Sequence, residues 1–222
     1  MTRPEPAASD TARQLATLGF APVVAPLLRV RALPARLPER PDAVLVTSGN
    51  ALAALPRRLH GLPLLAVGDA TAARARTAGF ADVRSAAADA AALAALARQS
   101  CPRGSLLLLA SGRGQGGDLA EALRAAGLRV HRRAVYAAET VARFPAAAAR
   151  ALQDGVLRAA LFLSAETARA FVRLLPPALH PALGVVDALA IGQPAADALG
   201  ALPWRRVRVS STPTQEGVLA LL

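Results

Sequence analysis

The residues with which this chain could do chemistry are the small hydroxyl and glycine residues at turns where apolar runs give way to helical segments. Ser48 follows "DAVLV", Ser164 follows "AALFL", Thr71 comes shortly after Gly68, and Thr214 stands just before "QEGVLALL". A hydroxyl at such a turn caps the helix behind it, and capping alone accounts for any one of them. Taken together, at equivalent points of repeated units, they describe helix starts. The free N–H groups and positive dipole ends there suit carboxylates or phosphates. "SGRGQGGD" 111–118 is a glycine-rich turn of the same kind. It matches neither the P-loop nor the dinucleotide fingerprint. It reads either as a flexible turn or as a place where backbone, helped by Arg113, approaches an anion. Tyr136 is the only tyrosine and ends the run "RRAVY". A lone tyrosine here most often packs half-buried, but its O–H could serve a leaving group or a carboxylate.

What is missing narrows the chemistry. All 26 basic residues are Arg, so a Schiff-base lysine and a P-loop lysine are excluded. Arg does not act as a general base, but its planar fork binds carboxylates and phosphates two-pronged. No Ser-His-Asp order and no close carboxylate pair can be defended. His60, His131 and His180 are dispersed, without metal-ligand spacing, and are expected at the surface. Cys101 is alone, which excludes an internal disulfide and a cysteine metal cluster. Trp204 reads as packing. A reaction run by such a chain works by positioning and backbone electrostatics. The net charge of +11 draws polyanions, either nucleic acid or a small molecule with many carboxylates. Aromatics make up only 3% and no nucleic-acid module is visible, which argues against specific nucleic-acid binding. "MTRPEPAASD" lacks the apolar core of a signal peptide, and no apolar run approaches membrane-span length. A cytoplasmic location and no membrane association are expected.

The elements that must position these residues are legible as repeats. "LAVGDATAARARTAGFADVRS" 65–85 parallels "LAIGQPAADALGALPWRRVRVSS" 189–211. "DAVLVTSGNALAAL" 42–55 parallels "AALFLSAETARAFVRLL" 159–175, each reading as strand, serine, helix. "ARQLATLGFAPVVAPLL" 12–28 parallels "AEALRAAGLRVHRRAVY" 120–136, each a helix ended by glycine and followed by a strand. The helix begun by Asp89 parallels the one begun by Thr214. Strands alternating with helices predict parallel α/β sheets. The strands read as continuous apolar runs, as when both sheet faces are covered. "RVRALPARLPERP" 29–41 breaks the pattern and reads as a linker.

"TRPEP" near the start, "VTSGNAL" 46–52, "AVGDATA" 66–72, the glycine loop before "LAEALRAAG", "AVY" 134–136, "FLSAETARAF" 162–171, "AIGQPAADAL" 190–199 and "SSTPTQEGVLALL" 210–222 stand in a telling order. It resembles that of the uroporphyrinogen-III synthase family, over nearly the whole chain. The resemblance implies an α/β fold of two similar parallel-sheet domains joined by two strand-like linkers, with the ligand in the cleft between them. It implies one domain from residues 1–28 plus 141–222, a second from 41–134, and linkers at 29–40 and 135–140. The repeats alone would cut the chain in half.

The resemblance also implies the reaction, a carbon–oxygen lyase step of tetrapyrrole and haem biosynthesis with no metal and no organic cofactor. Linear hydroxymethylbilane loses its terminal hydroxyl to give an azafulvene. The last pyrrole ring attacks through its substituted carbon, a spiro intermediate opens, and the ring is rejoined the other way round as uroporphyrinogen III. The substrate closes unaided to the symmetric isomer, so the enzyme must mainly control shape. Its eight carboxylates suit helix starts and an all-Arg charge set. By resemblance, Arg3, Thr47, Ser48, Gly68, Thr71, Gly112, Arg113, Ser164 and Gly192 bind substrate, and Tyr136 donates a hydrogen bond to the departing hydroxyl. A monomer is expected, with hand-over of substrate from hydroxymethylbilane synthase.

Three departures stand out. The strand that family members carry before "TRP" is nearly absent, since Arg3 follows Met1-Thr2. The later glycine loop reads Gly192-Gln193-Pro194-Ala195-Ala196, without the usual threonine. "LLLLASGRG" has Ala110 and Ser111 where Arg-Gly is common. They motivate a second reading, a non-catalytic two-domain module that binds a tetrapyrrole or another polyanion.

Overall fold

The computed structural model describes residues 1–222. In chain order the elements are α1 (Ala7–Thr17), β1 (Leu28–Ala32), β2 (Ala43–Val46), β3 (Leu64–Ala66), α2 (Asp69–Thr77), β4 (Val83–Ser85), α3 (Ala90–Ser100), β5 (Leu106–Gly112), α4 (Gly117–Ala125) and β6 (Arg129–Thr140). Then follow α5 (Ala146–Gln153), β7 (Ala159–Phe162), α6 (Ala165–Leu174), β8 (Asp187–Ala190), α7 (Gln193–Leu199), β9 (Arg206–Val209) and α8 (Gln215–Leu219). Short 3-10 helices occupy Gly49–Ala54, Arg57–Leu59 and Pro177–Val185. The chain divides into two compact units, Val30–Ala138 and Met1–Arg29 with Glu139–Leu222. It crosses from one to the other inside β1 and returns inside β6.

In the unit Val30–Ala138 the strand order is β1-β6-β5-β2-β3-β4. Every pairing from β6 to β4 is parallel. Successive residues of a strand point to opposite faces. Val44, Val46, Leu108 and Ala110 enter one core with Leu52, Ala72, Ala75 and Phe80. Ala43, Leu45, Leu107 and Leu109 enter the other with Leu93, Ala97, Leu119 and Leu123. Both faces of the sheet are covered, which is why these strands carry no polar alternation. Gly79 and Gly127 follow α2 and α4 at φ +97 and +86, left-handed stops that other residues adopt only with strain.

Two expectations need correction here. The segment after Ser48 forms a 3-10 helix rather than an α-helix, because Pro56 cuts it short before an α-helix can establish itself. The three histidines are half-buried rather than open to solvent, and the His60 ring packs on Phe80 with centroids 4.3 Å apart.

The other unit holds the parallel sheet β7-β8-β9. On one face Leu161 and Leu189 meet Leu15 of α1 and Val218 and Leu219 of α8. A ring cluster lies elsewhere in the same unit. Phe162 is fully buried and stands edge-on to Phe171 at 5.3 Å and to Trp204 at 5.8 Å, a favoured aromatic geometry. Met1 and Thr2 form no strand of their own. The Met1 ammonium donates to Val23 O at 2.6 Å, Ala25 N donates to Met1 O at 2.8 Å, and the Thr2 hydroxyl donates to Leu161 O at 2.6 Å. Burial brings the Met1 ammonium down to about 6. No helix is long and apolar enough to cross a membrane.

Candidate active site

Parallel strands end together, and the turns that follow them gather along one edge of a sheet, where open α/β sheets bind ligands. In the unit Val30–Ala138 that edge is defined by register, with Val46 of β2 opposite both Ala66 of β3 and Ala110 of β5. Thr47 and Ser48 leave β2 there, Gly68 lies two residues past β3, Gly112 ends β5 and Arg113 follows it. The Ser48 hydroxyl accepts from Asn50 N at 3.2 Å and so caps the 3-10 helix. Gly68 occupies the cap position of α2, while Thr71 lies inside the helix rather than at its start. Arg74, one turn further along α2, reaches back over the β2 turn. A side chain at Gly49 would place its Cβ 2.6 Å from Arg74 Nη1. Arg74 did not stand out in sequence, although its place three residues after Thr71 puts both on one face of α2.

Tyr136 is set by an irregularity. The β5–β6 register runs Ser111↔Ala134 and then Gly112↔Tyr136, so Val135 is the extra residue of a bulge. Bulges re-aim side chains next to sites. Tyr136 therefore sits within β6 rather than at its end, with its ring buried at 3% exposure among Val46, Leu52 and Ala110. Its hydroxyl donates to Gln115 Oε1 at 3.1 Å, and its carbonyl accepts from Arg113 N at 2.9 Å. Ser111, fully buried, donates its hydroxyl to Gln115 O at 3.1 Å. Sequence reading passed over Gln115, a polar residue in a glycine-rich run.

In the other unit, Ser164 follows β7 and caps α6. Its oxygen accepts from Thr167 N at 3.1 Å and lies 3.0 Å from the Thr167 hydroxyl. Gly192 follows β8 with an extended backbone, and Gln193 behind it donates to Asp197 Oδ1 at 2.7 Å, along α7. Arg3 donates from Nη1 to Gln215 Oε1 at 2.5 Å and to Thr11 Oγ1 at 3.3 Å, which ties the chain start to α1 and α8. Thr214 caps α8, accepting from Gly217 N at 3.1 Å. Every residue expected at substrate thus lies at a strand end or in the turn or helix behind it, except Tyr136, which sits within β6, and Arg3, which reaches a helix start through Gln215.

A family model described as "Uroporphyrinogen-III synthase HemD" matches residues 9–220. No curated protein matches the chain. Among solved structures, uroporphyrinogen-III synthetase from Helicobacter pylori has a TM-score of 0.62 at 19% identity, covering 88% of this chain and 89% of that one. A mutant uroporphyrinogen III synthase from Thermus thermophilus has a TM-score of 0.47 at 20% identity, covering 100% of this chain and 96% of the other. The first likeness is one of fold.

Proposed function

Because this chain belongs to the uroporphyrinogen-III synthase family, a family of cyclising lyases in tetrapyrrole biosynthesis, we propose specific roles for the strand-end residues in closing hydroxymethylbilane to uroporphyrinogen III. The turns at Thr47-Ser48, Gly68, Gly112-Arg113, Ser164 and Gly192 offer backbone N–H groups and hydroxyls to substrate carboxylates. Thr71, Arg3 and Arg74 add polar and cationic contacts. Such contacts fix the bent shape in which the last pyrrole ring meets the electrophile at its substituted carbon. Tyr136 directs its hydroxyl proton at the terminal hydroxyl of the bilane. The C–O bond then breaks, its electron pair leaves with oxygen as water, and the pyrrole nitrogen fills the deficit as the azafulvene. Attack, spiro formation and reclosure need no strong acid or base, only a held geometry.

The observation that carries this reading is the convergence of Thr47, Ser48, Gly68, Gly112 and Arg113 on the carboxyl edge of one parallel sheet, with Tyr136 paired to Gly112. The substrate reaches the enzyme in the cytoplasm from hydroxymethylbilane synthase, and the enzyme acts as a monomer.

The test supplies freshly made hydroxymethylbilane with and without the protein, oxidises the products and separates the isomeric porphyrins. A shift from type I to mostly type III is the expected result. Type I alone, from protein shown to be folded, would overturn it.

A further inference from the structure

The loop after β5 is built around one contact. Gln115 is fixed by its backbone at three points. Its N–H donates to Gly112 O at 3.0 Å, and its carbonyl accepts from the Ser111 hydroxyl at 3.1 Å and from Arg132 Nη1 at 2.8 Å. Gly114 and Gly116 flank it at φ +76 and +77, left-handed conformations that let the chain fold tightly on either side. The result aims an exposed side chain at a buried hydroxyl, with Gln115 Oε1 3.1 Å from Tyr136 OH. Gly112 leaves the space for it. A Cβ there would lie 2.7 Å from Gln115 Oε1 and 2.9 Å from Tyr136 Cζ. The bulge at Val135 completes the arrangement by bringing Tyr136 opposite Gly112.

We propose that Gln115 is the positioning residue for Tyr136, an amide that covers the phenol and turns it toward the leaving group. This rests on the reading of Tyr136 as donor to the departing hydroxyl. In the resting enzyme the phenol proton is directed at Gln115 Oε1 and is not available to substrate. A carboxamide carries an acceptor and a donor on one planar group. Rotation of that group about its last bond replaces the oxygen by the NH2, which then donates to the phenol oxygen. The phenol proton is freed toward the bilane hydroxyl, and the oxygen that gives it up is stabilised by the amide N–H. The proton leaves with the departing oxygen as water. The phenol regains one when the closing ring loses hydrogen from the pyrrole carbon that is joined. Gln115 itself exchanges no proton.

Tyr136 is the only tyrosine, so isotope labelling of tyrosine at Cζ gives a single signal from the full-length protein at neutral pH. Its shift reports the hydrogen bond made by the phenol. The cations at this loop and on β6 beside it, Arg113, Arg132 and Arg133, are the same in every variant. Gln115→Leu is expected to move the signal in the direction of a lost acceptor, and Gln115→Glu in the opposite direction, toward a stronger one. In turnover, Gln115→Leu lowers kcat about tenfold with KM nearly unchanged, the pattern of a contact that matters only in the transition state. Gln115→Glu, which accepts but does not donate at neutral pH, is slowed comparably although its volume and its resting contact are preserved.

An unmoved Cζ signal in both variants overturns the contact. A full kcat in Gln115→Leu overturns the positioning role, and a full kcat in Gln115→Glu overturns the rotation. Tyr136→Phe separates this proposal from the reading beneath it. If that variant turns over normally, the tyrosine has no catalytic part, whatever the Cζ signal shows. If it is slow while Gln115→Leu is not, Tyr136 stands and Gln115 falls.

Discussion

At the residue scale the decisive feature is a buried phenol in a chain with no lysine and no defensible acid–base pair. Tyr136→Phe removes one oxygen from a ring held at 3% exposure among apolar neighbours, so the packing survives. A fall in kcat of about a hundredfold is expected, the lower end for a positioned proton donor, with a thermal midpoint close to that of the unaltered protein. Parallel kinetics and calorimetry check both halves. Gly112→Ala pushes a methyl group into Gln115 and Tyr136. A stability loss of about 1–3 kcal/mol by denaturant unfolding is expected, as for overpacking, together with reduced kcat. Adding Gln115→Gly relieves one of the two clashes and restores part of the stability, a coupling that a double-mutant cycle measures. Arg74→Met keeps the aliphatic cover over Gly49 and removes the charge. It is expected to raise KM several-fold and leave kcat alone, since a carboxylate contact made equally in ground and transition states changes only binding. An unchanged KM would release Arg74 from the site.

At the element scale, strands and caps were legible where one local rule decided them. "AVLV" and "LLLLA" are apolar at every position because each strand is buried on both faces. Asp89, Ser164 and Thr214 cap helices by accepting, at their side-chain oxygens, from the N–H three residues on. What depended on two strands at once was not legible. The bulge at Val135 arises from the pairing of β5 with β6, and no residue type in "RRAVY" announces it. Gln115 meets the Tyr136 hydroxyl only through that bulge, and a polar residue between glycines carries no local sign of the contact. The Asp187–Arg205 pair is likewise a product of assembly. Asp187 opens β8, and Arg205, just before β9, donates to both its oxygens at 2.7 Å. The hydrogen bonds and charge of Arg205 hold the Asp187 carboxyl below its usual range. Its folded pKa lies below its unfolded one, so the stability it contributes is present above the ordinary carboxylate range and is lost as pH falls through the lowered value. Asp187→Asn is therefore expected to lower the thermal midpoint at neutral pH, with the gap to the parent closing in acid. A gap that persists below the carboxylate range would mean that the pair does not account for the loss.

At the scale of the whole molecule, the internal repeats and the contacts divide the chain differently. The repeats alone suggest a cut in the middle, but Met1–Arg29 packs with Glu139–Leu222. Helix α1 supplies Leu15 to the face of the β7-β8-β9 sheet that α8 also covers, a contact between the two ends of the chain that no local pattern encodes. Net charge, by contrast, is a property of the sum and is fully legible. An excess of +11 carried by Arg raises the potential met by any polyanion, and exposed charges act over about 10 Å at 0.1 M salt but about 3 Å at 1 M. In the proposed site the strand-end turns would act through backbone N–H groups and capped hydroxyls at contact distance, which salt screens far less. The two contributions separate in kinetics. Raising the salt concentration is expected to raise KM for the polycarboxylate bilane steeply and to leave kcat and the share of type III product unchanged, because charge gathers the substrate while the turns shape it. Duplex DNA is expected to bind weakly and to be released over the same salt range, since that interaction is charge alone. If the type III share falls together with affinity, the arginines are shaping the bound bilane as well as attracting it, and Arg3, Arg74 and Arg113 become the positions at which to look for that control.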